Sequence, residues 1–212
     1  MLTTINDRAY NHIKIQIGVQ SCLPKNLISK ITSHIYKEYN SVISVFNGSS
    51  EEVVLGVMNH KFDIALLNTP PMIRDKTIIY SKKILASNVV LAGSKKFLNF
   101  KDAPLSRFND APFILPTPNV ALRQVIEHYF SKWDVNLNMV GEAEDTIIQK
   151  NMAIAGNGIV PIMKDAITSY VKTKQLFILK ELSEIQDEVW LVSAKRKMAN
   201  PIANELISKF SF

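Results

Sequence analysis

A chain of 212 residues, 47% apolar and 21% charged, can bury a sizeable core in one large domain or two small ones, and its composition excludes a disordered chain. Lys and Arg outnumber Asp and Glu by 25 to 19, a formal net charge of +6, but they are scattered singly or in pairs, which argues for a solvated surface rather than a nucleic-acid-binding stripe. Cys22 is the single cysteine, so there is neither an intrachain disulfide nor a cysteine-rich metal site.

Residues 1–11 lack the apolar core of a signal peptide, and no apolar run approaches the length of a membrane span. A reducing cytoplasm is the expected location, with no membrane partner.

Strand and helix alternate from the start. Ile13–Gly18 is strand-like and runs through Val19-Gln20-Ser21-Cys22-Leu23-Pro24 into a helix over Pro24–Tyr39, with Leu27, Ile28, Ile31 and Ile35 on one face. Val42–Phe46 is a second strand. It leads through Asn47-Gly48-Ser49-Ser50 into a short helix ending near Met58, where Ser49 and Glu52 have capping-box spacing. Phe62–Leu67 is a near-continuous apolar run, as in a strand covered on both faces, and ends in Asn68-Thr69-Pro70-Pro71. Right-handed crossovers between these strands predict a parallel sheet with three polar tips at one end.

Ile78–Leu85 and Asn88–Ala92 are read as two further strands, followed by the polar stretch Lys95–Asp110. A second alternating block begins with Phe113–Leu115 and the tip Pro116-Thr117-Pro118-Asn119. A helix over Val120–Trp133, a strand Leu137–Val140 and a helix Asp145–Ala155 follow. Gly156-Asn157-Gly158 turns into Ile159–Pro161, Lys164–Lys172 is helical, and Leu176–Leu179 is extended. Glu188–Ser193 reads as a last strand, and Asn200-Pro201 caps a final helix, Ile202–Phe210.

The tips carry the functional signal, because the backbone N–H groups at a helix start suit small polar or anionic ligands. Ser21, Ser49 and Thr69 are either ligand-binding hydroxyls or caps of their own turns. Three tips at the same end of one sheet bring the two possibilities level. Cys22 is either a reactive thiol beside a helix start or a small buried residue, and no histidine lies nearby in sequence to act as base. Gly156-Asn157-Gly158 lacks the third glycine of a dinucleotide fingerprint and the lysine of a P-loop, and a helix C-cap accounts for it. His12, His34, His60 and His128 are dispersed without metal-ligand spacing. Glu142, Glu144 and Asp145 complement a helix start or offer oxygens to a hard cation. No cofactor, metal or catalytic set is expected, and the chain is not read as an enzyme.

The order of these features resembles the effector-binding domain of LysR-type transcriptional regulators. The resemblance rests on Ile15-Gln16-Ile17-Gly18 before Leu23-Pro24, and on Gly48-Ser49 opening the second helix. It continues through Asn59-His60-Lys61-Phe62-Asp63-Ile64-Ala65-Leu66-Leu67, Pro112-Phe113-Ile114-Leu115-Pro116 with Leu122-Arg123, and Ala155-Gly156-Asn157-Gly158-Ile159-Val160-Pro161. Val140-Gly141-Glu142 and Asn59-His60-Lys61 look most like the NhaR branch, which regulates a sodium/proton antiporter gene. The loop after Gly18 is shorter than in many members, and Pro161 falls earlier than the usual proline.

The resemblance implies an α/β fold of two Rossmann-like subdomains joined by two crossing strands, with periplasmic-binding-protein-like (type 2) architecture. Residues 1–87 with 188–212 would form subdomain I and residues 88–187 subdomain II. A small-molecule or ion effector would lie between them, contacted by Ser21, Cys22, Ser49, Asn68, Thr69, Thr117 and Asn119. The resemblance further implies self-association as a dimer or tetramer. DNA would be met only through a winged helix-turn-helix that normally precedes this domain and is expected to be absent here. A solute-binding protein of a transport system is the competing function, and a deaminase-like or transferase-like enzyme dependent on Cys22 a third.

Overall fold

The computed structural model describes residues 12–72, 78–196 and 198–212; the signal-peptide expectation rests on residues 1–11 and lies outside them. The first block is β1 (Ile13–Gln20), α1 (Lys25–Glu38), β2 (Ser41–Gly48), α2 (Ser50–Met58) and β3 (Ile64–Leu67). β1 pairs in parallel with both β2 and β3 and so lies between them, with all three strands ending on the same edge. α1 buries Leu27, Ile28, Ile31 and Ile35 against this sheet, the stripe its periodicity predicted.

β3 is shorter than expected because Phe62 leaves the strand. Its ring fills the space beside the glycines Gly18 of β1 and Gly56 of α2 and stacks on Phe46, with centroids 5.4 Å apart. Asp63, next in the chain, accepts the Gln16 backbone N–H at 2.8 Å and pairs with Arg196 at 3.2 Å, pinning the start of β3 to β1 and to the chain beyond the last strand.

Two long strands then depart from the sequence reading. The expected strands Ile78–Leu85 and Asn88–Ala92 are one strand, β4 (Ile79–Gly93). Leu176–Leu179 and Glu188–Ser193 are the two ends of another, β8 (Phe177–Ala194). Their polar middles looked like breaks. The antiparallel partner satisfies the backbone through each middle, Ala86 facing Glu188, Ser87 facing Asp187 and Asn88 facing Gln186. Register shifts flank the crossing, as bulges that let a strand leave one sheet and enter another. The lower part of β8 joins β3, and the upper part of β4 joins β7 (Val160–Met163), both antiparallel.

The second half holds β5 (Pro112–Leu115), α3 (Ala121–Ser131), β6 (Asn138–Glu142) and α4 (Thr146–Ile154), with β5 and β6 parallel. β5 also exchanges backbone bonds with Ile159, through Ile114 N–H to Ile159 C=O at 2.9 Å and Ile159 N–H to Pro112 C=O at 2.8 Å. Its core gathers Phe108, Phe113, Ile126 and Phe130. The expected helix Lys164–Lys172 is a tight 3₁₀ turn followed by the short α5 (Thr168–Lys172). α6 (Pro201–Lys209), capped by Asn200, returns to the first half and buries Ile202, Ala203 and Leu206. Gly156 ends the turn after α4 at φ +79°, the left-handed geometry that favours glycine there.

The Phe62 seat gives a direct test. A Cβ at Gly18 would meet the Phe62 ring at 2.5 Å, so Gly18→Ala is expected to destabilise the fold by about 1–3 kcal/mol. Urea unfolding measures it, and Phe62→Leu in the same chain is expected to restore part of the loss because the two sites share one space.

Candidate functional site

The two halves meet over a narrow cavity of about 20 Å³. The first half contributes Cys22 and Pro24 from the β1–α1 turn and Asn68 from the end of β3. The second contributes Pro116, Val120 and Leu122 around the start of α3, and Glu144, Thr146 and Gln149 at the start of α4. Asp187 enters from the strand crossing. A groove of about 150 Å³ continues outward over Thr69, Pro70, Ala121 and Val125, sharing Asn68, Leu122 and Asp187 with the cavity.

Only part of the expected contact set comes together here. Cys22 and Asn68 line the cavity and Thr69 the adjoining groove. The Ser21 hydroxyl donates to the Gly48 carbonyl at 3.1 Å, and its backbone N–H uses the same acceptor, so Ser21 ties the β1 tip to the end of β2. Ser49 forms the full capping box with Glu52 and lines neither space, which leaves it the cap of α2. Thr117 is half-buried with its Oγ1 unpartnered, and Asn119 is exposed; both lie outside the lining. Parallel pairing set the three tips on one edge, but β1 separates β2 from β3, and the β2 tip turns to its own helix.

The missed residues come from places where sequence offers little signal. Thr146 follows the cap of α4, where Asp145 accepts the Ile147 N–H, so the threonine hydroxyl is free of capping. Thr146 is 8% exposed and its Oγ1 has no partner. Asp187 sits in what reads as a surface polar stretch of β8. Of the acidic trio before α4, Asp145 caps the helix, Glu142 pairs with Arg123 at 3.3 Å, and Glu144 alone faces the cavity.

Burial decides the electrostatics. Desolvation pushes the Asp187 carboxyl from 3.8 up to about 7, aided by the neighbouring Glu188 charge and opposed by a bond from the Glu188 N–H. Burial first, then the charges of Asp187 and Glu144, pushes the Cys22 thiol up to about 12. A thiol so placed is neutral at physiological pH and a poor nucleophile. Among the described residues no group of His, Cys, Asp and Glu converges as a metal site would require.

Contacts between the halves hold the cleft shut. Asn26 of α1 donates to the Asp165 carbonyl at 2.9 Å, while the Asp165 carboxylate accepts the Ser87 hydroxyl at 2.6 Å. Lys25 lies 3.6 Å from Asp145.

Two outcomes follow from the burial. Because the folded pKa of Asp187 lies above its unfolded value, the stability linked to it is complete below the unfolded pKa and is lost as the pH rises through about 7. Asp187→Asn is therefore expected to gain stability over the parent between about pH 5 and pH 8, with a melting-temperature difference that widens as the pH rises. Cys22 is expected to resist an aromatic disulfide reagent in the native protein and to react at once in denaturant; fast native labelling would contradict its buried, neutral state.

Comparison with solved structures finds the same fold in several regulators. The regulatory domain of CcmR from Synechocystis, in complex with 2-PG, has a TM-score of 0.70 and 17% identity over 92% of this chain and 93% of that one. The effector-binding domain of QuiR, in complex with shikimate, has a TM-score of 0.70 and 16% identity over 91% and 92%. The cofactor-binding domain of the Cbl transcriptional regulator reaches a TM-score of 0.76 at 13% identity over 93% and 87%. No curated protein sequence matches. Identities this low establish the fold, which is the type 2 periplasmic-binding-protein-like architecture of two α/β halves joined by crossing strands. Residues 11–210 match the LysR substrate binding domain, and with nearly its whole length inside that match the chain belongs to this family.

Proposed function

We propose that the chain is the ligand-sensing part of a LysR-type transcriptional regulator, binding a small effector between its halves and passing a hinge change to a DNA-binding segment. The observation that carries this is the shared cavity, built by the β1–α1 turn, the end of β3, the starts of α3 and α4 and the strand crossing together. A ligand touching all of these biases the angle between the halves through its differential affinity for their arrangements. The similar domains of CcmR and QuiR hold 2-PG and shikimate, and DarR from Vibrio fischeri, of which this chain covers 66%, was solved in complex with DNA. These support the class of function without naming the effector.

Subdomain boundaries at 87/88 and 187/188 belong to this proposal, since Ser87 and Asp187 face each other at the crossing. So does effector contact by Cys22, Asn68 and Thr69, joined by Thr146, Gln149 and Asp187. Cytoplasmic location and self-association as a dimer or tetramer complete it. Val45 and Phe46 on β2, and Met139 and Val140 on β6, are exposed apolar side chains on outer strands that an interface would cover. The narrower NhaR-like function, with a sodium, lithium or pH response, has weaker support. Its Asn59-His60-Lys61 lies in the turn after α2 and its Val140-Gly141-Glu142 in β6, both away from the cavity.

A cavity of about 20 Å³ has room for roughly one or two waters, so an organic effector enters only as the halves part. A thermal-shift panel of monovalent cations across pH, organic acids and amines is expected to contain a saturable stabiliser. Thr146→Val is expected to weaken it. Asn26→Ala, which removes one bond between the halves, is expected to tighten it by about 2–10-fold, because the open arrangement becomes easier to reach. A panel with no stabiliser sensitive to Thr146→Val or Asn68→Ala would overturn the effector site.

A further inference from the structure

The cavity carries two carboxyl groups among largely apolar walls, beside the amides of Asn68 and Gln149. Asp187 and Glu144 both line it, and none of the ion pairs among the described residues includes either one. No Lys, Arg or His lines it. Lys25, at the start of α1, gives its ammonium to the Ser21 carbonyl at 2.8 Å and faces Asp145. Lys150 is buried but turned away, its Nζ over the Tyr170 ring at 4.9 Å and near the Ala166 carbonyl.

Thr146 adds an independent sign of a ligand. It is more than nine-tenths buried, lines the same cavity, and its hydroxyl oxygen has no partner. A buried hydroxyl left alone costs free energy that a bound donor recovers. An anionic effector would lie against the Asp187 and Glu144 carboxyl groups with no Lys, Arg or His in the lining to answer its charge, only the backbone N–H groups of the helix starts beside it. A metal ion would need converging ligands, and the described residues provide no such group.

The neighbouring groove fixes the rest of the ligand. It starts at Asp187 and Asn68 and runs outward with Pro70, Ala121, Leu122 and Val125 on one side, which suit an alkyl or aryl tail, and Gln186 and Glu188 at its polar edge.

We propose that the effector is a protonated organic amine, its ammonium held by Asp187, Glu144 and Thr146 and its apolar tail laid in the groove. The proposal rests on the effector-site reading above and adds the ligand's charge and shape. The ammonium donates its N–H groups to the two carboxyl groups and the threonine oxygen.

The test measures binding of n-butylammonium, butyrate and butyramide by calorimetry and thermal shift, at neutral pH and constant ionic strength. Butylammonium is expected to bind saturably and to lose at least about tenfold in affinity in Asp187→Asn and in Glu144→Gln, while butyrate and butyramide give no response. Val125→Asn, in the groove, makes the tail's seat polar without adding charge and is expected to weaken hexylammonium more than methylammonium.

Butyrate binding with butylammonium inert, lost on Thr146→Val, would overturn the amine and leave the effector site standing. Sodium alone stabilising the protein, with butylammonium adding nothing, would overturn the organic cation. Butylammonium affinity unchanged in both carboxylate variants would overturn the assignment to this cavity. Silence across methyl- to hexylammonium would overturn the amine class, and the wider panel would then decide separately whether any effector uses the cleft.

Discussion

The antiparallel crossing of β4 and β8 is the constraint on which the rest of the molecule depends. Each strand serves both halves, so the sheet of the first half and the layer built on β5, β6 and β7 share a spine. A spine of two paired strands resists stretching but tolerates a change of twist at its register shifts. At its midpoint Ser87 is buried and Asp187 half-buried where the halves meet. Ser87 is taken up by Asp165, while Asp187 is left facing the cavity.

The charge of Asp187 follows from that position. A carboxyl group at the midpoint of the crossing is flanked by both halves, and the burial this brings raises the cost of keeping it ionised. Cys22 experiences the same shielding from the other wall, and the two acidic groups push its thiol further from reactivity. Burial and proton affinity are therefore coupled in this cleft. The polar bonds across it, Asn26 to Asp165 and Lys25 to Asp145, are individually worth about a kilocalorie or less, and beside them Leu27, Ile28 and Ile31 of α1 share one apolar cluster with Met163, Ala166 and Ile167.

Much of the architecture was legible in the amino-acid order because local physics and the tertiary fold agree. The apolar stripe of α1, the Ser49–Glu52 capping box, the Asn200-Pro201 start of α6 and the turn at Gly156 are each decided within a few residues. The family resemblance, spread over motifs from Ile15 to Pro161, was borne out by the match over residues 11–210. Reading failed where the deciding partner is remote. Ala86-Ser87-Asn88 looks like a break until β8 pairs with it, and Phe62 looks like a strand residue until the space beside two glycines receives its ring.

The sequence by itself determined the alternation of strand and helix, the shared edge of three parallel strand ends and the family, because periodicity, caps and turn residues are properties of neighbours along the chain. Only the tertiary structure decided which polar residues face one another. Parallel pairing put Ser49 on the same edge as Cys22 and Asn68, but the order of the strands sent it to its own helix, while the crossing brought in Asp187 from far along the chain. A binding site is a coincidence in space of segments distant in sequence, and its chemistry is set by burial, which no single segment contains.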